Sequence, residues 1–379
     1  MSGLPVRALS IHADYRCRNS GACCSSGWDI PVEPDVERRL DSAVADGALG
    51  VRAPWSRPLA GLPHQARVVL RVSAAGECVF YEAGKPRLCA VHRQLGPEAL
   101  PSSCRQFPRV ATLTPRGVSV TLSHYCPTAA GMLFRDDAAI EVVTDAPAFP
   151  ASWPYEGLDA REALPPFARP GVLMSWAAHE RFEEQAVATL ARGGRSPEAA
   201  LASLAAAAER LRAWTLRDGP FDAFAERVIE AVTEQPAVRE PSLEDALADW
   251  ERAAASVPAG VARPRSPRSG VERFDVARAK ALVDDAWPAL QAPVRRWLAA
   301  RAFASWLALQ GEGVRTTVAG LRVALGVLRA EAARGCAEGA GRPLDAALLK
   351  EAIRRSDLLL HHLVDVEAFA RDLSRCEGD

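Results

Sequence analysis

Residues 17–27 read CRNSGACCSSG, and this cysteine-rich segment decides the interpretation of the whole chain. Seven of the nine cysteines lie in the first third of the sequence: Cys17, Cys23, Cys24, Cys78, Cys89, Cys104 and Cys126. Thiolates bind soft and borderline metals, and a zinc site or a 4Fe–4S cluster takes about four of them. Gly21 and Gly27 allow turns that bring backbone N–H groups close to the sulfurs. The segment therefore predicts a metal centre held by loops.

The residues around the later cysteines extend this prediction. In LCAVHRQLG, Cys89 and His92 stand three residues apart, so on a helix they would share a face and could bind one metal ion together. Cys126 precedes Pro127 at the start of a predicted helix, and a helix N-terminus favours a thiolate. The predicted metal ligands are Cys17, Cys23, Cys24, Cys78, Cys89, His92, Cys104 and Cys126.

The residue pattern leaves alternatives open. A single cysteine often packs as a small hydrophobic residue, and disulfides would need an oxidising compartment. The paired C-x-x-C knuckles of zinc fingers are absent, and the spacing does not name the metal. We expect an iron–sulfur cluster of the 4Fe–4S type, with zinc as the alternative.

The chain as a whole sets further limits on its function. It has 379 residues, which favours two domains, and a formal net charge of −1, which gives no electrostatic reason to expect a nucleic-acid partner. The N-terminus lacks the basic and apolar regions of a secretory signal, and no apolar stretch is long enough to cross a bilayer. We therefore expect a cytoplasmic protein without a membrane or nucleic-acid partner.

The residue composition and the predicted secondary structure change near residue 145. Before it, the pattern predicts a helix over 34–47, a strand over 66–72 and a hairpin formed by 110–113 and 118–122. A Pro- and aromatic-rich segment follows, and after it apolar residues recur at helical spacing to the C-terminus, with a break at 257–270. This predicts an α+β fold with a small irregular cysteine-rich metal-binding N-terminal domain (1–145) followed by an all-α helical C-terminal domain (146–379).

At the level of motifs, about residues 11–135 resemble a known family. The order C-x5-CC, GWDIPV, CVFYEAG, LCAVHRQLG, CRQFPR and HYCPTAAGMLF is similar to the flagellin lysine-N-methylase family, within the wider bacterial cysteine-cluster family of zinc- or iron-chelating proteins. The resemblance implies a cytosolic bacterial protein with an iron–sulfur or zinc centre at the seven cysteines. For the methylase branch it also implies methyl transfer from S-adenosylmethionine to lysines of a protein substrate such as flagellin.

Two classes of function follow. The first is a protein lysine N-methyltransferase, which depends on the resemblance; the second is a metal-chelating or redox module without methyl transfer, which depends on the cysteines alone. Metal storage is a third, weaker hypothesis. No Rossmann glycine motif, P-loop or nucleophile elbow occurs, so the sequence identifies neither catalytic nor methyl-donor-binding residues. The isolated histidines His12, His64 and His124 are interpreted as surface or hydrogen-bonded residues, with His124, two residues from Cys126, as a weaker candidate for contact with the metal centre. The adjacent His361 and His362 are interpreted as structural or solvent-facing, and Cys336 and Cys376 as incidental.

Overall fold

The computed structural model of the chain describes residues 4–60, 65–82, 84, 88–135, 140–232, 241–261 and 263–376. The backbone forms two units that are each discontinuous in sequence. Unit 1 comprises Met1–Tyr15, Val110–Tyr125 and Ala129–Asp379, and unit 2 comprises Arg16–Arg109 and Cys126–Thr128. The predicted boundary after residue 145 falls inside unit 1.

The strands among the described residues are short. They are β1 Val6–Leu9, β2 Pro31–Val32, β3 Ser56–Pro58, β4 Val68–Leu70, β5 Tyr81–Glu82, β6 Leu88–Cys89, β7 Arg109–Thr114, β8 Gly117–Leu122, β9 Val142–Thr144, β10 Leu158–Asp159, β11 Phe167–Arg169 and β12 Val172–Leu173. The α-helices are α1 Pro34–Ala45, α2 Ala90–Leu95, α3 Ser102–Gln106, α4 Pro127–Met132, α5 Trp176–Ala191, α6 Pro197–Arg212, α7 Phe221–Glu230, α8 Leu243–Ala255, α9 Pro267–Phe274, α10 Val276–Ala286, α11 Gln291–Ala302, α12 Val314–Glu338, α13 Ala346–Asp357 and α14 Val366–Cys376.

Unit 2 is built around α1 and two small sheets, β2-β4-β3 and β5-β6. The helix begins with Pro34 at its first turn and buries Val36, Leu40 and Ala43, which lie at helical spacing, so the helix predicted over 34–47 is confirmed. These side chains join an apolar core that also contains Val32, Trp55, Leu70, Phe80 and Val91. Cys78, Cys89 and Cys104 pack against this core, which fixes where their loops can lie.

Unit 1 contains a five-stranded sheet with the order β10-β7-β8-β1-β9. The predicted hairpin is confirmed, because β7 and β8 are neighbours joined by a short turn. Strand β1 pairs in parallel with β8, Val6 opposite Val118, and antiparallel with β9, Arg7 opposite Thr144. Residues at the N-terminus therefore belong to the same unit as the long helices.

The helices of unit 1 surround α12, of which most residues are buried. Several helix starts follow from capping serines: the side chains of Ser175, Ser196 and Ser242 accept backbone N–H groups at the first turns of α5, α6 and α8. The helical pattern near the C-terminus is interrupted, since α13 ends in a π-helical turn over Leu358–Leu363 before α14 begins.

The predicted fold class is wrong. The chain is about 53% helical with several small sheets, and the helices after residue 145 share unit 1 with a five-stranded sheet instead of forming an all-α domain. The cause is strand pairing. The backbone of β1 forms its hydrogen bonds with β8 and β9, so residues 4–15 belong to unit 1 and not to the cysteine-rich unit.

The described residues also contain no formed metal-binding cluster of three or more His, Cys, Asp and Glu side chains. None of the described helices has the length and apolar character needed to span a membrane.

Candidate functional site

The cysteine pair of the opening segment sits on a tight turn of unit 2. Cys23 and Cys24 belong to a short 3-10 helix, Ala22–Cys24, that begins after Gly21. Gly21 has φ of 75°, and a Cβ atom there would lie 2.8 Å from the Tyr81 hydroxyl oxygen, so glycine is required both by the backbone and by the space. The turn thus packs directly against the strand that pairs with Cys89.

A second loop is joined to this turn by main-chain contacts. The Cys78 N–H donates to the Cys24 carbonyl oxygen at 2.7 Å, and the Gly27 N–H donates to the Gly76 carbonyl oxygen at 2.9 Å. A Cβ at Gly76 would lie 3.3 Å from the Gly27 Cα, so the two backbones are nearly in contact. These contacts bring Cys78 to the cysteine pair from more than fifty residues along the chain.

Five of the predicted cysteines come together as one group: Cys23, Cys24, Cys78, Cys89 and Cys104. We call them the cysteine group. The Cys23 and Cys24 Sγ atoms are 3.7 Å apart. Cys24 also lies within hydrogen-bonding reach of Cys89, while Cys78 and Cys104 are close enough to the others for the charges to affect one another. These sulfurs come from segments separated by up to about eighty residues, a proximity that only the fold can produce.

The thiols of the cysteine group differ in pKa. Hydrogen bonding to Cys24 lowers the pKa of Cys89 to about 7, helped by the backbone N–H groups of His92 and Val91. Hydrogen bonding to Cys24 likewise lowers the pKa of Cys23, and the pKa of Cys24 itself is raised because it gives its proton to both neighbours. Burial raises the pKa of Cys78 to about 11 and that of Cys104 well above its usual value.

The remaining predicted ligands are placed differently. Cys17 is exposed, with its sulfur next to Asn19, and Cys126 is buried and belongs to unit 2. His92 contributes its backbone N–H to the Cys89 sulfur, while the residue itself is exposed. Cys336 is buried in α12 of unit 1. His64 and the side chain of Cys376 lie outside the described residues.

The geometry of the cysteine group partly fits a metal ion. Two thiolates on one tetrahedral zinc, with Zn–S of about 2.3 Å, stand about 3.8 Å apart. The Cys23–Cys24 separation of 3.7 Å matches this value. No third ligand of the described part of the chain completes such a site, because no set of three or more candidate side chains has the required arrangement.

A second group of ionisable residues, which no sequence motif indicates as a site, lies inside unit 1. It comprises the carboxylate of Asp357, the last residue of α13, and four histidines around it: His12, His124, His361 and His362. We call it the histidine cluster. The His12 and His124 Nε2 atoms are 3.2 Å apart, and His124 Nδ1 is 3.2 Å from Asp357 Oδ2. Ser123 Oγ and His362 Nε2 are 2.7 Å apart.

The centre of the histidine cluster is a fully buried carboxylate. Asp357 accepts hydrogen bonds from the His124 backbone N–H at 2.6 Å, the Trp297 indole N–H at 2.9 Å and the Arg301 guanidinium at 3.0 Å. Burial by itself would raise the pKa of this carboxyl, but the hydrogen bond with the His124 ring and the charge of Arg301 bring it below its ordinary value. The carboxylate is therefore ionised.

Burial keeps three of these histidine rings, those of His12, His361 and His362, neutral. Burial lowers the pKa of His361 to about 3 and that of His362 to about 4, and it lowers the pKa of His12 well below 6.5. His361 and His362 stand on the π-helical turn, an element that occurs often at functional sites. The adjacency of two histidines near the end of a predicted helix was the one local signal for this cluster in the sequence.

Comparison with protein-family models, with characterised proteins and with solved structures found no match for the chain. The assignment of function therefore depends on the two groups of side chains described above and on the motif resemblance.

Proposed function

We propose that unit 2 is a thiolate metal-binding module in which the cysteine group holds either zinc or an iron–sulfur cluster. The observation that carries this proposal is the meeting of five cysteines from separate segments, three of them with sulfurs in direct interaction. Thiols are the side chains that such metals select, and two of these, Cys23 and Cys89, already have lowered pKa values.

Metal binding would be coupled to the local fold. Thiols must lose their protons to bind a metal, and wherever the site is assembled only on binding, the binding energy becomes folding energy. Unit 2 has strands of two or three residues and little regular structure around the sulfurs. A bound metal would therefore cross-link its loops, and an iron–sulfur cluster would in addition supply one-electron chemistry.

The two metals differ in what they would require of the cysteine pair. A single zinc ion accommodates both Cys23 and Cys24, because their 3.7 Å separation is that of two ligands on one ion. In a 4Fe–4S cluster each thiolate binds a different iron, so only one of the pair would be a ligand at this separation. The pair thus favours zinc, while the family resemblance is compatible with either an iron–sulfur or a zinc centre.

We further propose protein lysine N-methyltransferase activity with S-adenosylmethionine as donor and a protein such as flagellin as substrate. This finer proposal is supported by the GWDIPV, CRQFPR and HYCPTAAGMLF motifs, the last of which begins with His124 of the histidine cluster. The alternative is a metal-binding or redox module without this activity.

Anaerobic purification tests the metal. If the site holds zinc, the protein is colourless and contains stoichiometric zinc but no sulfide. If it holds an iron–sulfur cluster, the protein is brown and contains iron and acid-labile sulfide. Cys89→Ser should lose the metal whichever of the two metals is bound, and Cys336→Ser, which alters a buried thiol of unit 1, should keep it. Equal metal content in the two variants, or none in the wild type, would reject the module.

The methyltransferase proposal has its own experiment. Titration with S-adenosylmethionine should show saturable binding, and a labelled donor should transfer its methyl group to lysines of purified flagellin. If the protein contains metal but binds no S-adenosylmethionine, the metal-binding proposal is supported and the methyltransferase proposal is rejected.

A further inference from the structure

Three sulfur atoms of the cysteine group interact directly, and the sulfur of Cys24 is the one that the other two share. Its Sγ atom lies 3.7 Å from that of Cys23, and its thiol also reaches the sulfur of Cys89. A disulfide bond is about 2.05 Å long, so sulfurs in such contact form one after an approach of about 2 Å. Cys24 therefore has two partners within reach of a disulfide, Cys23 and Cys89.

The backbone decides between these two partners. Cys23 and Cys24 are adjacent on the short 3-10 helix, so a disulfide between them would close a small ring that includes their peptide bond. Such a ring forces the peptide bond away from planarity, which is costly. Cys89 lies more than sixty positions further along the chain, at the end of β6, and its bond to Cys24 would involve no such ring. The favoured disulfide therefore joins Cys24 to Cys89.

The surroundings of this pair allow both access and movement. Cys24 and Cys89 are each half-buried, so a small oxidant from solvent can reach their sulfurs. Cys24 is the last residue of its 3-10 helix, and residues 25–30, all of them described, form neither helix nor strand. Its side chain can therefore move toward Cys89 without disrupting a sheet.

We propose that hydrogen peroxide converts Cys24 and Cys89 into a reversible disulfide, and that this disulfide prevents the cysteine group from binding metal. The second part deepens the proposed metal-binding function and rests on it. One thiol attacks the peroxide: a sulfur–oxygen bond forms, the O–O bond breaks, and the thiol proton leaves with hydroxide as water. The other thiol attacks the resulting sulfenic acid: the S–S bond forms, the sulfur–oxygen bond breaks, and a second water leaves. The two sulfurs are oxidised, the peroxide is reduced, and a small thiol reverses the reaction by exchange.

The disulfide acts on the metal because both sulfurs belong to the proposed site. A metal binds the thiolate form of cysteine, which a sulfur in a disulfide no longer provides. Once Cys24 and Cys89 are joined, the cysteine group retains only the thiols of Cys23, Cys78 and Cys104. A closed zinc site or a 4Fe–4S cluster takes about four ligands. A compartment that keeps thiols reduced would thus keep the site able to bind metal, and oxidation would close it.

The first experiment locates the disulfide. The full chain is purified without oxygen, freed of metal by a chelator and treated with hydrogen peroxide, and mass spectrometry of the digested protein should identify a cross-link between Cys24 and Cys89. Cys23→Ser is the matched control, because it alters the other neighbour of Cys24 and should keep the cross-link. Cys89→Ser should lose it.

The second experiment measures metal binding by the same wild-type samples, with zinc alone as the probe. The peroxide-treated protein should lose its uptake of zinc, and dithiothreitol should restore the uptake to that of the reduced protein. A cross-link between Cys23 and Cys24, or no cross-link, would overturn the inference. Equal zinc uptake by the cross-linked and the reduced protein would also overturn it.

The outcomes separate this inference from the proposed function. All the decisive results come from the wild type, so they hold even if Cys89→Ser fails to fold. A reduced protein that contains no metal as purified and takes up no zinc would reject the proposed metal-binding function. In that case the Cys24–Cys89 cross-link alone decides whether the pair is an oxidation site.

Discussion

Replacement of Asp357 by Asn is the perturbation with the largest expected effect on unit 1. The carboxylate is fully buried and accepts hydrogen bonds from His124, Trp297 and Arg301. Asn preserves the shape but removes the charge, which leaves the Arg301 guanidinium buried without a counter-charge. Breaking a buried pair in this way costs about 3–5 kcal/mol. We expect the free energy of unfolding to fall by that amount.

Urea titration followed by far-UV circular dichroism measures this loss, because most helices belong to unit 1. The matched control is Asp159→Asn, which removes an exposed carboxylate paired with Arg161 and should change little. The double variant Asp357→Asn with Arg301→Met should be less destabilised than Asp357→Asn alone, since no buried charge is then left unpaired. A loss below about 1 kcal/mol for Asp357→Asn, or additive losses in the double variant, would refute the reasoning.

Two further predictions concern packing and pH. Gly326→Ala on α12 would place a Cβ 2.7 Å from the Asp249 Cβ, and this clash should lower the free energy of unfolding of unit 1 by about 1–3 kcal/mol. Gly335→Ala on the same helix would place a Cβ no closer than 3.6 Å to another atom, so it should be neutral or stabilising. The same urea titration measures both variants. His361 and His362 have folded-state pKa values of about 3 and about 4, below the unfolded value near 6.5, so the unfolded chain takes up protons first as the pH falls. Stability should therefore decrease from pH 6.5 toward pH 4, by roughly 1–2 kcal/mol for each ring between pH 7 and pH 5, and a flat profile in this range would contradict the buried neutral rings.

Local patterns in the sequence predicted many of the elements correctly. The periodicity of residues 34–47 and the turn at Thr114–Gly117 gave α1 and the β7–β8 hairpin, because both depend on neighbouring residues. What the sequence did not reveal is which segments share a unit. The pairing of β1 with β8 joins residues more than a hundred positions apart, and no local periodicity encodes such a partner.

The same limit applied to the two candidate sites. The cysteines were recognisable because their residue type signals metal chemistry, but the selection of Cys23, Cys24, Cys78, Cys89 and Cys104 as one group required the fold. The histidine cluster had no comparable signal. Its members lie near residues 12, 124 and 360, and each is an ordinary structural histidine until the sheet and α13 bring them to one carboxylate.

The central claim is that sulfur atoms of unit 2 bind a metal, and X-ray absorption at the metal edge of anaerobically purified protein tests it most directly. The account predicts a first shell of sulfur at about 2.3 Å, which decreases in Cys24→Ser and Cys89→Ser and stays intact in Cys336→Ser. A first shell of nitrogen and oxygen without sulfur, or a sulfur shell unaffected by Cys24→Ser and Cys89→Ser, would contradict it.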